Sequence, residues 1–221
     1  MKQNNDKMRL IGITGGIGAG KSEILAFIGK HYRCKIYLAD QVAHKVKEPG
    51  QPAYRPLVEL LGEQVLDENG EIHRGRMADR IFSDAALLKK VNEIVHPAVR
   101  LYLENAVREA RRDGETELFF IEAALLIEAG YQEMVDELWY IHADREIREK
   151  RLRESRGYSH IKIRDIMEKQ LDEEAFRREC DFVIDNSGKL WDAYSQIRRR
   201  LDGYTWLAAA EENLGKGWET T

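Results

Sequence analysis

Residues 15–22 read Gly-Gly-Ile-Gly-Ala-Gly-Lys-Ser. The spacing is G-x-x-x-x-G-K-[ST], and the chemistry open to it is the binding of nucleotide phosphates. Glycine leaves room beside the main chain and reaches positive φ without steric cost, so bare N–H groups can surround an anion. Gly16, Gly18, Ala19, Gly20, Lys21, Ser22 and Glu23 are the expected nucleotide-binding residues. Within them Lys21 should reach the β- and γ-phosphates, and the Ser22 hydroxyl should ligate Mg²⁺.

Such a loop works only between a strand and a helix, because the helix N-terminus supplies part of the field that holds the phosphate. Both flanks have that pattern. Leu10, Ile11 and Ile13 make a short buried-strand run, and Ser22 to Lys30 carries an apolar helical face at Ile24, Leu25, Phe27 and Ile28. Four more short apolar runs, Lys35–Ala39, Leu118–Ala123, Leu138–His142 and Phe182–Asp185, alternate with helical patterns. This alternation predicts an α/β fold with a five-stranded parallel sheet flanked by helices.

The spacing of the runs is uneven. Roughly eighty residues separate the second and third, too many for a simple crossover, so they should form a helical insert. Pro49, Pro52, Pro56 and Pro97 punctuate it. Between the fourth and fifth runs lies a polar, arginine-rich stretch. Gly157 breaks it near the middle, and Ser159 is placed to cap its second helix. The tail from Tyr204 onward reads as a last helix with a frayed end, with Trp206 packed on the body. The expected division is a nucleotide core of residues 1–44, 114–144 and 177–221, a helical insert of 45–113 and a lid of 145–176.

Composition narrows the class. The chain has 221 residues, 43% hydrophobic and 33% charged, with net charge −4. These are values of a globular protein, and no basic field points to nucleic acid or to an acidic membrane. No run is long enough to span a bilayer, residues 1–8 are too polar for a secretory leader, and cytoplasm is the expected compartment. Cys34 and Cys180 have no metal-type spacing and read as reduced thiols. No Asn/Thr-Lys-x-Asp guanine-reading motif follows the loop, which argues against a GTPase. A small kinase fits best. A kinase of another nucleoside or small alcohol, and a nucleotide-binding regulator that transfers nothing, remain as alternatives.

Several other residues allow two readings. Asp40 closes the second strand and is either a helix N-cap before Gln41-Val42-Ala43-His44 or a carboxylate on the ligand-binding edge of the sheet. Residues 145–156 hold five arginines and one lysine among Glu146, Glu149 and Glu154. They are either a solvated face or a source of cations for a transferred phosphate. Arg148 and Arg151 are neighbours on such a helix.

Several segments in order resemble the dephospho-CoA kinase family. They are "IGITGGIGAGKS", "LADQVAH", "GEIHRGRMADRIFSD" followed by "VNEIVHP", "ALLIEAG", "SRGYS", "KQL" and "DFVIDNSG". Together they cover about residues 9–201. The chain departs from the family pattern at Leu38, where a first aspartate is common, at Ala124, where proline is usual, and at Glu23, where threonine is common. The arginine of "SRGYS" is also shifted by a position.

The resemblance implies a P-loop kinase with an acceptor insert and a lid, which moves the γ-phosphoryl of ATP to the ribose 3′-hydroxyl of dephospho-CoA. It implies Asp40 as the base, with Lys21 and the lid arginines Arg151 and Arg156 on the phosphates. Arg76 and His96 become acceptor contacts, although His96 before Pro97 also reads as a polar residue at a helix kink. Glu122 would support Mg²⁺ through water or merely end its strand. Glu128 and Asn186 would shape the nucleotide site, and His44 would orient Asp40. The expected partners are ATP and dephospho-CoA, with no nucleic acid and no membrane. Oligomeric state is left open, with a monomer favoured.

Overall fold

The computed structural model describes residues 8–82 and 84–204. The helix expected beyond Tyr204, and Trp206 with it, lie outside the described residues. Five strands form where apolar runs were expected, with ends shifted by at most one residue: β1 (Arg9–Thr14), β2 (Cys34–Leu38), β3 (Leu118–Glu122), β4 (Glu137–His142) and β5 (Phe182–Asp185). Their order is β2-β3-β1-β4-β5. β1 runs parallel to β3, with Ile11 opposite Phe120, and to β4, with Ile13 opposite Trp139; β4 in turn runs parallel to β5, with Tyr140 opposite Val183.

This order has a functional consequence. β1 is central, and the chain leaves it first toward β2 and β3 on one side, then toward β4 and β5 on the other. The loop after β1 therefore opens at the point where the strand order reverses, the crevice in which open α/β sheets bind ligands.

Helices cover both faces. Leu10, Ile11, Ile13, Phe119, Phe120, Trp139 and Ile141 are fully buried between them. The edge of the Trp139 ring meets Phe120 and Phe182, at 5.9 and 5.3 Å between centroids. Helix α1 (Lys21–His31) buries Ile24, Leu25, Phe27 and Ile28, the face read from sequence.

Contacts divide the chain into two units, one of residues up to Ile36 with those from Asp113 onward, the other of Tyr37–Arg112. The second unit thus begins at residue 37, where the sequence reading began the insert at 45. It holds α2 (Ala39–Lys45), α3 (Tyr54–Leu61), α4 (Arg74–Ile81) and nearly all of α5 (Ala85–Asp113). Pro97 does not punctuate here. It lies inside the 29-residue α5, whose buried face, including Val91, Val95, Val99 and Leu103, holds the helix through the one missing N–H.

The first unit adds α6 (Arg145–Arg156), α7 (His160–Met167), α8 (Glu173–Glu179) and α9 (Leu190–Leu201). Gly157 ends α6 at φ 62°. The Ser159 side chain caps α7 by accepting from the Lys162 N–H, as expected.

At the end of the sheet opposite the glycine loop, Glu137 opens β4 and is only 4% exposed. Its carboxylate accepts from Trp139 Nε1 at 2.9 Å, Tyr204 Oη at 2.6 Å, Arg200 Nη2 at 2.9 Å and Arg9 Nη2 at 3.1 Å. β1, β4, α9 and the residues after α9 meet on this one side chain. Burial would push its pKa up, but hydrogen bonds from Trp139, Tyr204, Arg200 and Arg9 outweigh burial and hold it at about 2.

A depressed carboxylate stabilises the fold above its unfolded pKa, and that stability is lost as pH falls toward the folded value. The contribution is of the order of 3 kcal/mol, complete above about pH 5 and declining toward pH 2. Urea titrations at stepped pH should show wild type losing stability through this window. Glu137→Gln should be less stable at pH 7 and flatter below pH 5; an acid slope unchanged in the variant would show that Glu137 is not its source.

Candidate active site

The main chain leaves β1 at Thr14 and turns through Gly15–Gly20 into α1. The N-cap of α1 is Gly20 at φ 92°, and no side chain caps the helix. Its first N–H groups thus face the loop with the positive end of the helix dipole behind them, an arrangement suited to an anion. Lys21 arches back over the loop. Its Nζ donates to Gly15 O at 2.7 Å and stands 3.6 Å from Glu122 Oε1, with both side chains only 14% exposed. The ammonium is held where loop and sheet meet, and Glu122 balances its charge from the carboxyl end of β3.

Arginines from α6 pack on the loop from outside. A Cβ on Gly16 would come within 2.2 Å of Arg148 Nη2, so a side chain there would make the guanidinium shift. Arg148 Nε donates to Ile17 O at 2.9 Å, and Nη2 donates to Gln170 Oε1 at 2.9 Å. The same Gln170 oxygen accepts from the Ile17 N–H at 3.0 Å. Burial lowers the pKa of Arg148, yet arginine starts so high that it stays charged.

One turn further along α6, Arg151 Nη2 donates to Asn186 O at 2.9 Å, with Nη1 3.4 Å from Ala19 O. Asn186 is 1% exposed and donates Nδ2–H to Ala19 O at 2.8 Å. A Cβ on Gly20 would meet that Nδ2 at 2.4 Å. The loop is thus gripped through the carbonyls of Ile17 and Ala19 and through the Ile17 N–H, and its Ala19 N–H turns back to Gly16 O at 3.2 Å.

The structure brings together Gly16, Gly18, Ala19, Gly20, Lys21, Arg151 and Asn186 from the sequence reading. Arg148 and Gln170 join them. In the sequence Arg148 stands out only as the neighbour of Arg151, and its i, i+3 spacing is the signal available. Arg156 is elsewhere: it ends α6, is exposed, and lies 6.0 Å from the Tyr158 ring centroid. Glu23 faces solvent on α1 and accepts from Tyr194 Oη at 3.1 Å; Tyr194 stacks on Phe27 at 3.9 Å, so Glu23 helps join α1 to α9. Ser22 is exposed in the first turn of α1, and Glu128 is exposed in the turns after β3.

In the second unit, Asp40 is exposed in the first turn of α2. The N-cap there is Leu38 and no side chain caps the helix, so Asp40 is not the cap. His44 follows one turn later. Its pKa is lowered by burial and by the charges of Lys47 and Arg74, with Asp40 acting in the other direction. Arg76 is occupied locally: its guanidinium donates to Leu66 O, and its N–H donates to His73 Nδ1 at 3.2 Å. His96 is exposed on α5 and lines an open cavity of about 500 Å³ with Leu88, Asn92 and Glu93.

A parallel sheet with this strand order, a bare loop into an uncapped helix, and a lysine at the start of that helix define a P-loop nucleotide-binding protein of the kinase type. The dephospho-CoA kinase family profile matches residues 9–192. A dephospho-CoA kinase of Aquifex aeolicus is 34% identical over 90% of this chain and 98% of its own length. One of Geobacter sulfurreducens is 35% identical over 88% and 96%. A solved structure from Thermus thermophilus superposes with a TM-score of 0.74 at 29% identity, covering 88% of this chain and 97% of that one. The dephospho-CoA kinase structure from Campylobacter jejuni, at 20% identity and a TM-score of 0.68, shares the fold over 88% and 96%. This chain belongs to the dephospho-CoA kinase family.

The placement of the arginines predicts a ranking. Arg148→Ala and Arg151→Ala release contacts to the loop carbonyls and should each slow phosphoryl transfer about 100-fold, the scale of a misplaced reacting group, whereas Arg156→Ala should stay within about threefold of wild type. Single-turnover rates with the three variants check this, and a large loss confined to Arg156→Ala would reverse the assignment.

Proposed function

We propose that this chain transfers the γ-phosphoryl group of ATP to the ribose 3′-hydroxyl of dephospho-CoA, giving CoA and ADP. The observation that carries the reading is the loop with α1 uncapped behind it, Lys21 folded over it and two α6 arginines on its outer side. A transferring phosphoryl group needs positioning and neutralisation of charge more than covalent chemistry. Lys21 and the loop N–H groups would hold the ATP phosphates. Arg148 and Arg151, bonded to loop carbonyls, would hold the loop in place, and either would have to leave its carbonyl partner to meet the charge that develops as the γ-phosphoryl moves. Residues of α6–α8 act as the lid that excludes water.

Mg²⁺ fits the residues present. Among the described residues no group of three or more His, Cys, Asp or Glu forms a metal cage. An ion held by one side chain, waters and phosphate oxygens is the usual mode for Mg²⁺ beside nucleotides. Ser22 Oγ would be the protein ligand, and Glu122 would act through water. When bound, the ion neutralises phosphate oxygens.

Asp40 is the proposed base. As it caps nothing, its carboxylate is available to accept the acceptor hydroxyl's hydrogen bond and later its proton. Arg76 and His96 remain proposed acceptor contacts, although Arg76 would have to leave Leu66 O to make one. A cytoplasmic setting is supported by the two free cysteines. Burial pushes the Cys34 thiol up to about 11 and the Cys180 thiol up to about 12.

Coupled ADP release with dephospho-CoA, against adenosine and other nucleosides, tests the activity. Rapid turnover with dephospho-CoA alone is expected, and ATP hydrolysis without CoA formation would defeat the reading. Asp40→Asn keeps size and removes charge. Its kcat should fall roughly 10²–10⁴-fold, toward the low end because the transition state is loose, with ATP affinity and melting temperature held. Full kcat in a folded Asp40→Asn protein would remove Asp40 as the base.

A further inference from the structure

A cavity of about 360 Å³ lies within the second unit, between α2 and α4. His44 and Lys47 line it from α2 and the turn after it, and Arg74 lines it from the first residue of α4. Met77, Ala78 and Ile81 of α4 supply an apolar wall. Glu48 and Glu71 also line it, and both are exposed. Among the described residues neither Lys47 nor Arg74 has a carboxylate oxygen within the 4.0 Å of an ion pair.

Two cations face one cavity, therefore, without a direct counter-ion. Lys47 is half-buried, and its pKa is lowered by burial and by the charge of Arg74. Arg74 is exposed, and the repulsion between the two like charges is relieved when an anion joins them. The apolar wall beside them calls for an anion attached to an aliphatic group, not for free phosphate.

The position along α2 narrows the ligand further. Asp40 and His44 are four residues apart, so they share one face of α2 with a rise of about 6 Å between them. A molecule whose reacting hydroxyl is at Asp40 would place a group one sugar away at His44 and the cations beyond it. In dephospho-CoA the 3′-hydroxyl and the 5′-pyrophosphate are carried by the same ribose, and the pyrophosphate continues into the branched aliphatic pantoyl group.

We propose that Lys47 and Arg74, with His44 on the near wall, bind the pyrophosphate of dephospho-CoA, and that the pantoyl group packs on Met77 and Ile81. The assignment rests on the kinase reading and deepens it. It makes Arg74, two residues before Arg76, the main arginine of acceptor recognition. Glu48 and Glu71 are then placed to accept from the hydroxyl and amide N–H groups of the pantetheine arm.

Calorimetric titration of dephospho-CoA without ATP, joined to steady-state kinetics, tests the site. Lys47→Gln and Arg74→Gln should each weaken dephospho-CoA binding and raise its KM roughly 10- to 100-fold, the scale of a lost charged hydrogen bond. KM for ATP should stay within about twofold, which also shows that the variants fold. Arg74→Lys should recover part of the loss by restoring charge, and inorganic pyrophosphate should compete with dephospho-CoA in wild type more strongly than in either Gln variant. Wild-type CoA formation with unchanged dephospho-CoA affinity in both Gln variants would overturn the site alone. No CoA formation by wild type would overturn the kinase reading, and the site with it.

Discussion

The close packing of Arg148, Arg151 and Asn186 on the carbonyls of the glycine loop is the interaction on which the active end of this protein depends. A β-carbon at Gly16 or Gly20 would stand within 2.2–2.4 Å of a nitrogen of Arg148 or Asn186. Because both positions are bare, α6 and the end of β5 close directly on the carbonyl side of the loop. Arg148, Arg151 and Asn186 together donate to the carbonyls of Ile17 and Ala19 or to each other's main chain. The carbonyls of Ile17 and Ala19 and the Ile17 N–H are engaged from outside, which fixes the course of the loop. Gly20, at φ 92°, allows the turn into α1 and leaves room for the Asn186 amide, and Gly16 leaves room for the Arg148 guanidinium.

The two ends of β4 divide the work of the fold. At its start, Glu137 gathers donors from β1, β4, Arg200 and Tyr204 into a buried ionic cluster. At its finish, the chain passes into the arginine helix through Asp144, whose N–H donates to Ser187 Oγ at 2.9 Å. A carboxylate buried with this many donors costs desolvation and repays it only when all of them are present. That makes the end remote from the loop a rigid base, against which the ligand-binding loops can be held.

The second unit works differently. Its helices are amphipathic, and their apolar residues, such as Leu57, Leu61, Met77 and Leu103, are buried, while the chemistry-bearing side chains lie at the surface of α2 and α4. Asp40 carries no capping duty, and Lys47 and Arg74 share a cavity without an ion-pair partner among the described residues. Groups with no structural task of their own are the ones a substrate can use.

Much of the architecture was legible in the sequence because it rests on local rules. Buried parallel strands are continuous apolar runs, glycine loops announce themselves by composition, and Gly157 and Ser159 act as punctuation wherever they stand. The loop residues, Lys21 and the arginine-rich helix could be named for that reason. What sequence could not decide was which of several equivalent side chains meets the loop or a cavity. Arg148, Arg151 and Arg156 look alike in a helical pattern, yet only the first two lie on the face turned to the loop. Arg74 and Arg76 differ by two residues, about half a helical turn, and this rotation sends one into the cavity and the other to Leu66 O. Pro97 reads as a break and is carried inside α5 by burial on either side of it. Glu137 was invisible as a hub, since its partners come from positions 9, 139, 200 and 204. Sequence determined which elements form and which residue types they carry; the facing of each side chain was settled only by the packing of elements distant along the chain, because a helix or strand does not by itself encode what lies against it.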